Sequence, residues 1–189
     1  MTNHPDAPEP ETLGLLQLIW SDYEHHVAWR GDERRSALLR APIRLLTNTS
    51  LRACVLVRLT CASPRWMHWF WRSVLVALHS SEVVYGAKIG PGLCLPHPFG
   101  IGVGGDVAIG RNVTLSQNVT MGSDRRHAGE PQLGDDVVVL PGAMLAGPIR
   151  IGHGAVIGAN TVVTEDVPDG GMAAAPRTRI VARQVKWDV

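Results

Sequence analysis

Two histidines are candidates for proton transfer in a reaction. His97 lies between two prolines, and His127 lies in a polar stretch, SDRRHAGEPQ, over residues 123–132. A neutral imidazole near pH 7 can take a proton from an attacking hydroxyl or amine and return it later in the reaction. A single histidine is more often solvated or structural, so the elements that hold these two decide what they can do.

The composition excludes two classes of protein. The chain has 189 residues, of which 45% are hydrophobic and 19% charged, and its formal net charge is +1. These values exclude an intrinsically disordered chain and a strongly basic nucleic-acid binder. Eight of the ten aromatic residues lie within residues 1–85, and only Phe99 and Trp187 follow. A core without large rings must be built from Ile, Val, Leu and Ala, so we expect the two halves of the chain to pack differently.

Residues 11–81 are predicted to form an α-helical domain behind a flexible tail at residues 1–10. Apolar residues at helical spacing predict helices over residues 11–29 and 64–79, with another from about residue 36 to 59 that kinks after a proline. The apolar stretch 51–78 contains four arginines, too many for a membrane-spanning helix. Its aromatic residues are expected to form a buried cluster between helices, with a peripheral membrane contact as the alternative; they are Trp66, Trp69, Phe70 and Trp71.

From residue 82 onward an aliphatic residue recurs at every sixth position. The first series is Ile89, Leu95 and Ile101, and two extra residues precede the next member, Ile109. About a dozen such units are typical of a hexapeptide-repeat parallel β-helix, in which three hexapeptides form one triangular coil, so we expect about four coils. This solenoid is predicted over residues 82–171, with 172–189 as a C-terminal segment. Residues 123–132 interrupt the repeat and must loop out from it.

The cysteines indicate the compartment. Cys54, Cys61 and Cys94 are odd in number and have no paired spacing, and no secretory signal pattern opens the chain, so a cytoplasmic location is expected. Some β-helices of this type bind zinc through three histidines, two of them about five residues apart. His97, His127 and His153 lack that spacing, so we expect no metal.

The repeat segment resembles the serine O-acetyltransferases, most closely the short forms found beside polysaccharide or secondary-metabolite genes. The resemblance covers residues 82–181 and is carried by YGAKIGPGLCLPHPFGIGVGGDVAIGRNVTLSQNVTMG and LGDDVVVLPGAMLAGPIRIGHGAVIGANTVVTEDVPDG. It implies a left-handed parallel β-helix preceded by an α-helical domain. It also implies acetyl transfer from acetyl-CoA in a homotrimer, in which the helical domains would be the surface for pairing trimers into a hexamer.

The resemblance also implies roles for single residues. A histidine in the second hexapeptide is the general base of the family, and the matching residue is His97. A carboxylate orients such a histidine, and the matching position is Glu82, where the family has Asp. Acetyl-CoA lies in a groove between neighbouring subunits, and the matching positions are Gly122, Gly142, Ala159, Asn160, Ala174 and Arg179.

The acceptor side departs from the family's pattern. Pro96 stands where the family has an Asp that contacts serine, and Gly129 and Glu130 replace an Arg-His pair. L-serine is the first acceptor that we expect. The alternatives are an acetyltransferase for another amino acid, a natural-product intermediate or a sugar, and a non-catalytic hexapeptide scaffold. The residues expected to bind the acceptor are His127, Arg126, Glu130 and Phe99.

Overall fold

The computed structural model describes residues 13–31, 43–44 and 47–176. Within this part of the chain three named helices precede the strands: α1 (Leu15–Arg30), α2 (Thr49–Ala62) and α3 (Arg65–His79). The side chain of Asn48 caps α2, because its carbonyl oxygen accepts the N–H groups of Ser50 and Leu51 at 2.9 and 3.2 Å. The predicted tail at residues 1–10 lies outside the described residues.

Thirteen strands of two or three residues follow α3 in the described part of the chain. In chain order they are β1 Glu82–Val83, β2 Lys88–Ile89, β3 Gly102–Val103, β4 Ala108–Ile109, β5 Thr114–Leu115, β6 Thr120–Gly122, β7 Gln132–Leu133, β8 Val138–Val139, β9 Met144–Ala146, β10 Arg150–Ile151, β11 Val156–Ile157, β12 Val162–Val163 and β13 Met172–Ala173.

The strands stack into three parallel sheets, one for each face of a triangular solenoid. Sheet A contains β1, β3, β6, β9 and β12, sheet B contains β2, β4, β7 and β10, and sheet C contains β5, β8, β11 and β13. The parallel β-helix with hexapeptide repeats is therefore confirmed. The five strands of sheet A mark about five turns. That is one more than expected, because pairing begins at Glu82 and not at Ile89. The left hand stays a prediction.

Aliphatic side chains fill the interior of the solenoid. In sheet A the inward residues Val83, Val103, Met121 and Leu145 are each at most 3% exposed, and they stack directly on one another through the strand register. No ring is among the buried hydrophobic side chains of residues 82–173. Each face of each coil has room for one inward side chain, which explains the loss of aromatic residues after Tyr85.

A buried ion pair fastens the helices to the first coil. Arg58 of α2 and Asp22 of α1 are each 1% exposed and meet through two charge-assisted hydrogen bonds of 2.8 and 2.7 Å. The same guanidinium donates to the carbonyls of Ile89 and Gly90, both at 2.6 Å. Asp22 in turn accepts the N–H of Leu93 at 2.8 Å. Two helices and one coil thus share a single polar junction.

The expected burial of the aromatic cluster is wrong for most of its members. Trp66, Trp69 and Phe70 are 70%, 63% and 48% exposed, whereas Trp71 is partly buried against the core. The reason is that α3 turns another face inward, the one that carries His68, Leu75 and His79. None of the helices in the described part of the chain is long and apolar enough to cross a bilayer.

Arg58→Ala should lower the free energy of unfolding by about 3–5 kcal/mol, because it leaves the Asp22 carboxylate buried without its partner. Urea unfolding followed by circular dichroism measures this. The matched control is Arg150→Ala on an exposed strand position, which should change the same free energy by less than about 0.5 kcal/mol. A similar small change for both variants would contradict the assigned role of the junction.

Candidate functional site

His97 lies on an irregular corner of the solenoid. Val103 pairs with Met121, so Val103 and not Ile101 is the inward residue of its strand. The two extra residues of the repeat therefore lie between Leu95 and Val103, and their expected position between Ile101 and Ile109 is wrong. The corner formed by residues 96–101 bulges as a result, and the His97 side chain is exposed on it.

The helical region holds this bulged corner from behind. Ser50 of α2 donates its hydroxyl to the carbonyl of Leu95, and Ser81 donates to that of Pro98 at 3.1 Å. The Ser81 oxygen also accepts the N–H of Ile101 at 3.1 Å. These bonds satisfy backbone groups that the insertion removes from the strand ladder, and they fix the position of His97.

Phe99 packs against a buried histidine behind the same corner. Its ring lies 5.8 Å from that of His79, measured between centroids, and its side chain is half-exposed. His79 is fully buried, and neither ring nitrogen has a hydrogen-bond partner. Burial first, and the charge of Arg52 second, lower the pKa of His79 below its ordinary value of 6.5. The sequence offered no signal for this contact.

Glu82 lies beside the corner but is bonded elsewhere. Its backbone N–H donates to the carbonyl of Ile101 at 2.7 Å, which places β1 directly next to residues 96–101. Its carboxylate is held by the guanidinium of Arg72 on α3, with Nε at 2.9 Å from Oε1. No hydrogen bond joins Glu82 to His97 in the described residues, so its role in orienting the imidazole stays a prediction.

Most of the positions predicted for acetyl-CoA follow one edge of the solenoid. We call this edge, where the chain passes from sheet C to sheet A, the C–A corner; it comprises residues 96–101, 116–119, 140–143 and 158–161. A chain of backbone bonds joins the levels, since Asn118 donates to Phe99, Gly142 to Gln117, and Asn160 to Pro141. The predicted positions on or directly below this edge are Gly142, Ala159, Asn160 and Ala174, and Arg179 lies outside the described residues.

Glycine is required at two levels of the C–A corner. Gly100 and Gly142 have φ of 69° and 73°, and a Cβ on either would lie within 2.3 Å of the side-chain oxygen of the asparagine one coil further, Asn118 or Asn160. The asparagine side chains therefore lie flat against the glycines and leave a shallow edge. His97 stands at the first level of that edge.

The loop after β6 lies at the opposite edge of sheet A. We call this edge the A–B corner; it comprises residues 104–107, the loop 123–131 and residues 147–149. Glu130 accepts the N–H of Asp106 at 2.9 Å, and a Cβ on Gly129 would touch Pro148. The loop is thus held against the two neighbouring levels of this corner. The carboxylate of Glu130 is thus bonded to the turn that contains Asp106, and the role of Glu130 in acceptor binding stays a prediction.

His127 is an exposed side chain of this loop. Its side chain is 69% exposed, and its Nδ1 lies 2.7 Å from Asp124 Oδ2. Arg126 is exposed beside it, and Gly122 ends β6 just before the loop. Asp124 is the residue that sequence reasoning missed; the available signal was an acidic residue three positions before a histidine.

The two predicted groups of site residues lie on different edges. Sheet A separates the C–A corner from the A–B corner by the two or three residues of each of its strands, on the order of 10 Å of extended chain. The structure therefore brings together His97, Phe99 and Glu82, and separately His127, Arg126 and Gly122. Within the described residues no three His, Cys, Asp or Glu side chains are grouped so that they could hold a metal ion.

Comparisons with known proteins agree with this architecture. Residues 130–165 match the family described as bacterial transferase hexapeptide (six repeats). The serine acetyltransferase of Helicobacter pylori is 38% identical over 104 residues, which are 54% of this chain and 61% of that protein. The chain spans less than two thirds of the length of the curated relatives that it matches first.

Solved structures extend the likeness to the helical region. A soybean serine acetyltransferase complexed with serine is 30% identical, with a TM-score of 0.71 over 88% of this chain and 69% of that one. A serine acetyltransferase in complex with CoA is 27% identical, with a TM-score of 0.70 and the same coverage.

Burial of neutral His79 should make stability depend on pH. Because the folded pKa is lowered, the unfolded chain binds this proton more readily, and the stabilisation is fully present above about pH 6.5 and lost as the pH falls. His79→Phe keeps the ring contact with Phe99 but removes the titration. The drop in urea midpoint between pH 7.5 and pH 5 should be smaller for this variant than for the wild type. An equal drop in both proteins would contradict the assignment.

Proposed function

The chain belongs to the serine acetyltransferase family, and from that premise we propose that it transfers an acetyl group from acetyl-CoA to the hydroxyl or amine of a small acceptor. L-serine is the first candidate. One observation carries the proposal: the exposed imidazole of His97 lies at the first level of the C–A corner, where hydrogen bonds from Ser50 and Ser81 hold the backbone. The presence of serine in the soybean structure and of CoA in a second relative supports the choice of substrates.

In the proposed reaction His97 acts as the general base. Its neutral imidazole takes the proton from the acceptor hydroxyl as the oxygen attacks the thioester carbonyl. The tetrahedral intermediate then collapses, the C–S bond breaks, and the same proton is returned to the departing thiolate of CoA. Transfer is direct, because the thiol nearest to His97 in sequence cannot serve as a nucleophile: Cys94 is fully buried, and burial raises the pKa of its thiol to about 12.

Acetyl-CoA is proposed to lie along the C–A corner. Gly142 and Asn160 pack closely against each other on that edge, and Ala159 and Ala174 are exposed next to them. A thioester that follows this edge reaches His97 at its first level. Gly122 lies on the opposite edge, so its contact with the cofactor requires a second subunit.

We infer a homotrimer from the same geometry. A site that uses both His97 and His127 cannot be closed by one chain, since sheet A separates the two edges. In a cyclic trimer the C–A corner of one subunit faces the A–B corner of its neighbour, and the two edges then form one groove.

We also propose a cytoplasmic location, because all three cysteines are free thiols, as is typical of a reducing compartment.

Another acceptor is the second candidate, favoured by two observations. Pro96 carries no carboxylate, and the carboxylate of Glu130 is bonded to the backbone N–H of Asp106. Both changes weaken recognition of serine while leaving the acetyl-transfer machinery in place. Another amino acid, a natural-product amine or alcohol, or an amino sugar would then be the substrate.

His97→Ala should reduce acetyl transfer by about 10²–10⁴-fold, because the general base is lost. The measurement is thiol release from acetyl-CoA with a panel of acceptors: serine, homoserine, simple amines and amino sugars. Oligomeric state and acetyl-CoA affinity should be unchanged. Full residual activity would contradict the base assignment.

The matched control is His153→Ala. His153 is also an exposed histidine on a corner, where it accepts the N–H of Asp135 at 3.0 Å, but it lies away from the C–A corner. This control variant should retain wild-type turnover. Absence of thiol release with every acceptor in the wild type would instead favour a non-catalytic scaffold.

A further inference from the structure

The carboxylate of Asp124 makes three hydrogen bonds within the loop. Oδ1 accepts the backbone N–H groups of Arg126 and His127, both at 2.8 Å. Oδ2 faces the Nδ1 of the His127 ring at 2.7 Å. These bonds, with that from the His127 ring as the largest cause, hold the pKa of the Asp124 carboxyl well below its ordinary value. The group is therefore an anion that can only accept hydrogen bonds.

This pairing decides which nitrogen of His127 carries the proton. The ring nitrogen that faces a carboxylate must be N–H, so Nδ1 is protonated and the lone pair of the neutral ring lies on Nε2. The Asp124 side chain is 22% exposed and that of His127 is 69% exposed. The carboxylate is thus tucked behind the ring, and Nε2 is directed away from it.

The Asp124–His127 pair is anchored to the solenoid. A Cβ on Gly147 would lie 3.2 Å from Asp124 Oδ2, and Gly147 has φ of 90°, a conformation that side chains rarely adopt. The N–H of Gly147 donates to the carbonyl of Gly122 at 3.0 Å, at the end of β6. The glycine at this level leaves space for the carboxylate and places the pair directly on the A–B corner.

We propose that Asp124 is a positioning residue that fixes His127 in the Nδ1–H form, so that Nε2 accepts a hydrogen bond from the hydroxyl or amine of the acceptor. This inference rests on the proposed acetyl transfer. It deepens that proposal by stating what the second edge of the groove recognises: a group that donates a hydrogen bond. The charged and titratable residues beside the pair on the same loop are Arg125, Arg126 and Glu130.

Asp124→Asn is the most informative variant. It keeps the size and shape of the side chain but places a hydrogen-bond donor, in place of an acceptor, opposite Nδ1 of His127. The two backbone N–H groups still need an acceptor, so the amide oxygen must face them and the amide NH₂ must face Nδ1. Nδ1 is then the nitrogen without a proton, and the proton moves to Nε2. The hydroxyl or amine of the substrate, which donates a hydrogen bond, would then face the Nε2–H, which is also a hydrogen-bond donor.

The experiment has two readouts on the full-length protein. Nitrogen-15 spectra of the histidine rings, recorded above the ordinary titration range of histidine, should show Nδ1–H for His127 in the wild type and Nε2–H in Asp124→Asn. In steady-state kinetics the variant should raise the KM for the acceptor by about tenfold, because one hydrogen bond to the acceptor is lost. The KM for acetyl-CoA should be unchanged.

Two further variants separate positioning from collapse of the loop. Asp166→Asn is the matched control, because Asp166 also accepts a backbone N–H, from Arg150 at 2.7 Å, on a different turn; it should change neither readout. In a His127→Ala background, Asp124→Asn should add no further loss of acceptor affinity. An additive loss would overturn the proposal, because Asp124 would then act on the loop and not through the ring.

Two other results would also overturn it: Nδ1–H retained in Asp124→Asn, or a moved proton with an unchanged KM for the acceptor. Failure of the proposed function is distinguishable from these. If the wild type transfers no acetyl group to any acceptor, the kinetic readout is lost. The ring spectra of the two proteins still decide whether Asp124 sets the protonated nitrogen of His127.

Discussion

The narrow interior of the coil is the constraint on which the rest of this structure depends. Each face of each turn admits one inward side chain, and the strands are only two or three residues long. Aliphatic residues such as Val103, Met121 and Leu145 fill that space level by level. Because the interior is closed to polar groups and the faces are short, side chains that do chemistry have to lie at the corners.

The chain departs from the repeat at two corners, and both departures carry candidate site residues. The two-residue excess at residues 96–101 exposes His97, and the loop at 123–131 exposes His127. Neither departure disturbs the stack, since β1 pairs with β3 across the first insertion and β4 pairs with β7 across the second. The helical region supports the first departure through Ser50, Ser81 and the Asp22–Arg58 junction. Rigid neighbours thus give irregular segments a defined position.

Much of this architecture could be predicted from the sequence, because a six-residue period is a local pattern. The repeat, its interruption and the loss of aromatic residues all follow from one inward residue per hexapeptide. The position of the two-residue excess could not be predicted. Ile101 and Val103 are both aliphatic and both buried, so only the strand register distinguishes them. The partners of Glu82 and His79 could not be predicted either, because each depends on how α3 packs against the first coil.

The central claim is that one groove is built from the C–A corner of one subunit and the A–B corner of its neighbour. Co-expression of His97→Ala and His127→Ala chains with different tags, and purification on both tags, gives trimers that contain both variants. Each such trimer has a single groove with His97 and His127 intact, so at low acceptor concentration the account predicts about one third of the wild-type activity. If mixed trimers are no more active than the two parent variants, the two histidines do not act in a shared groove between subunits.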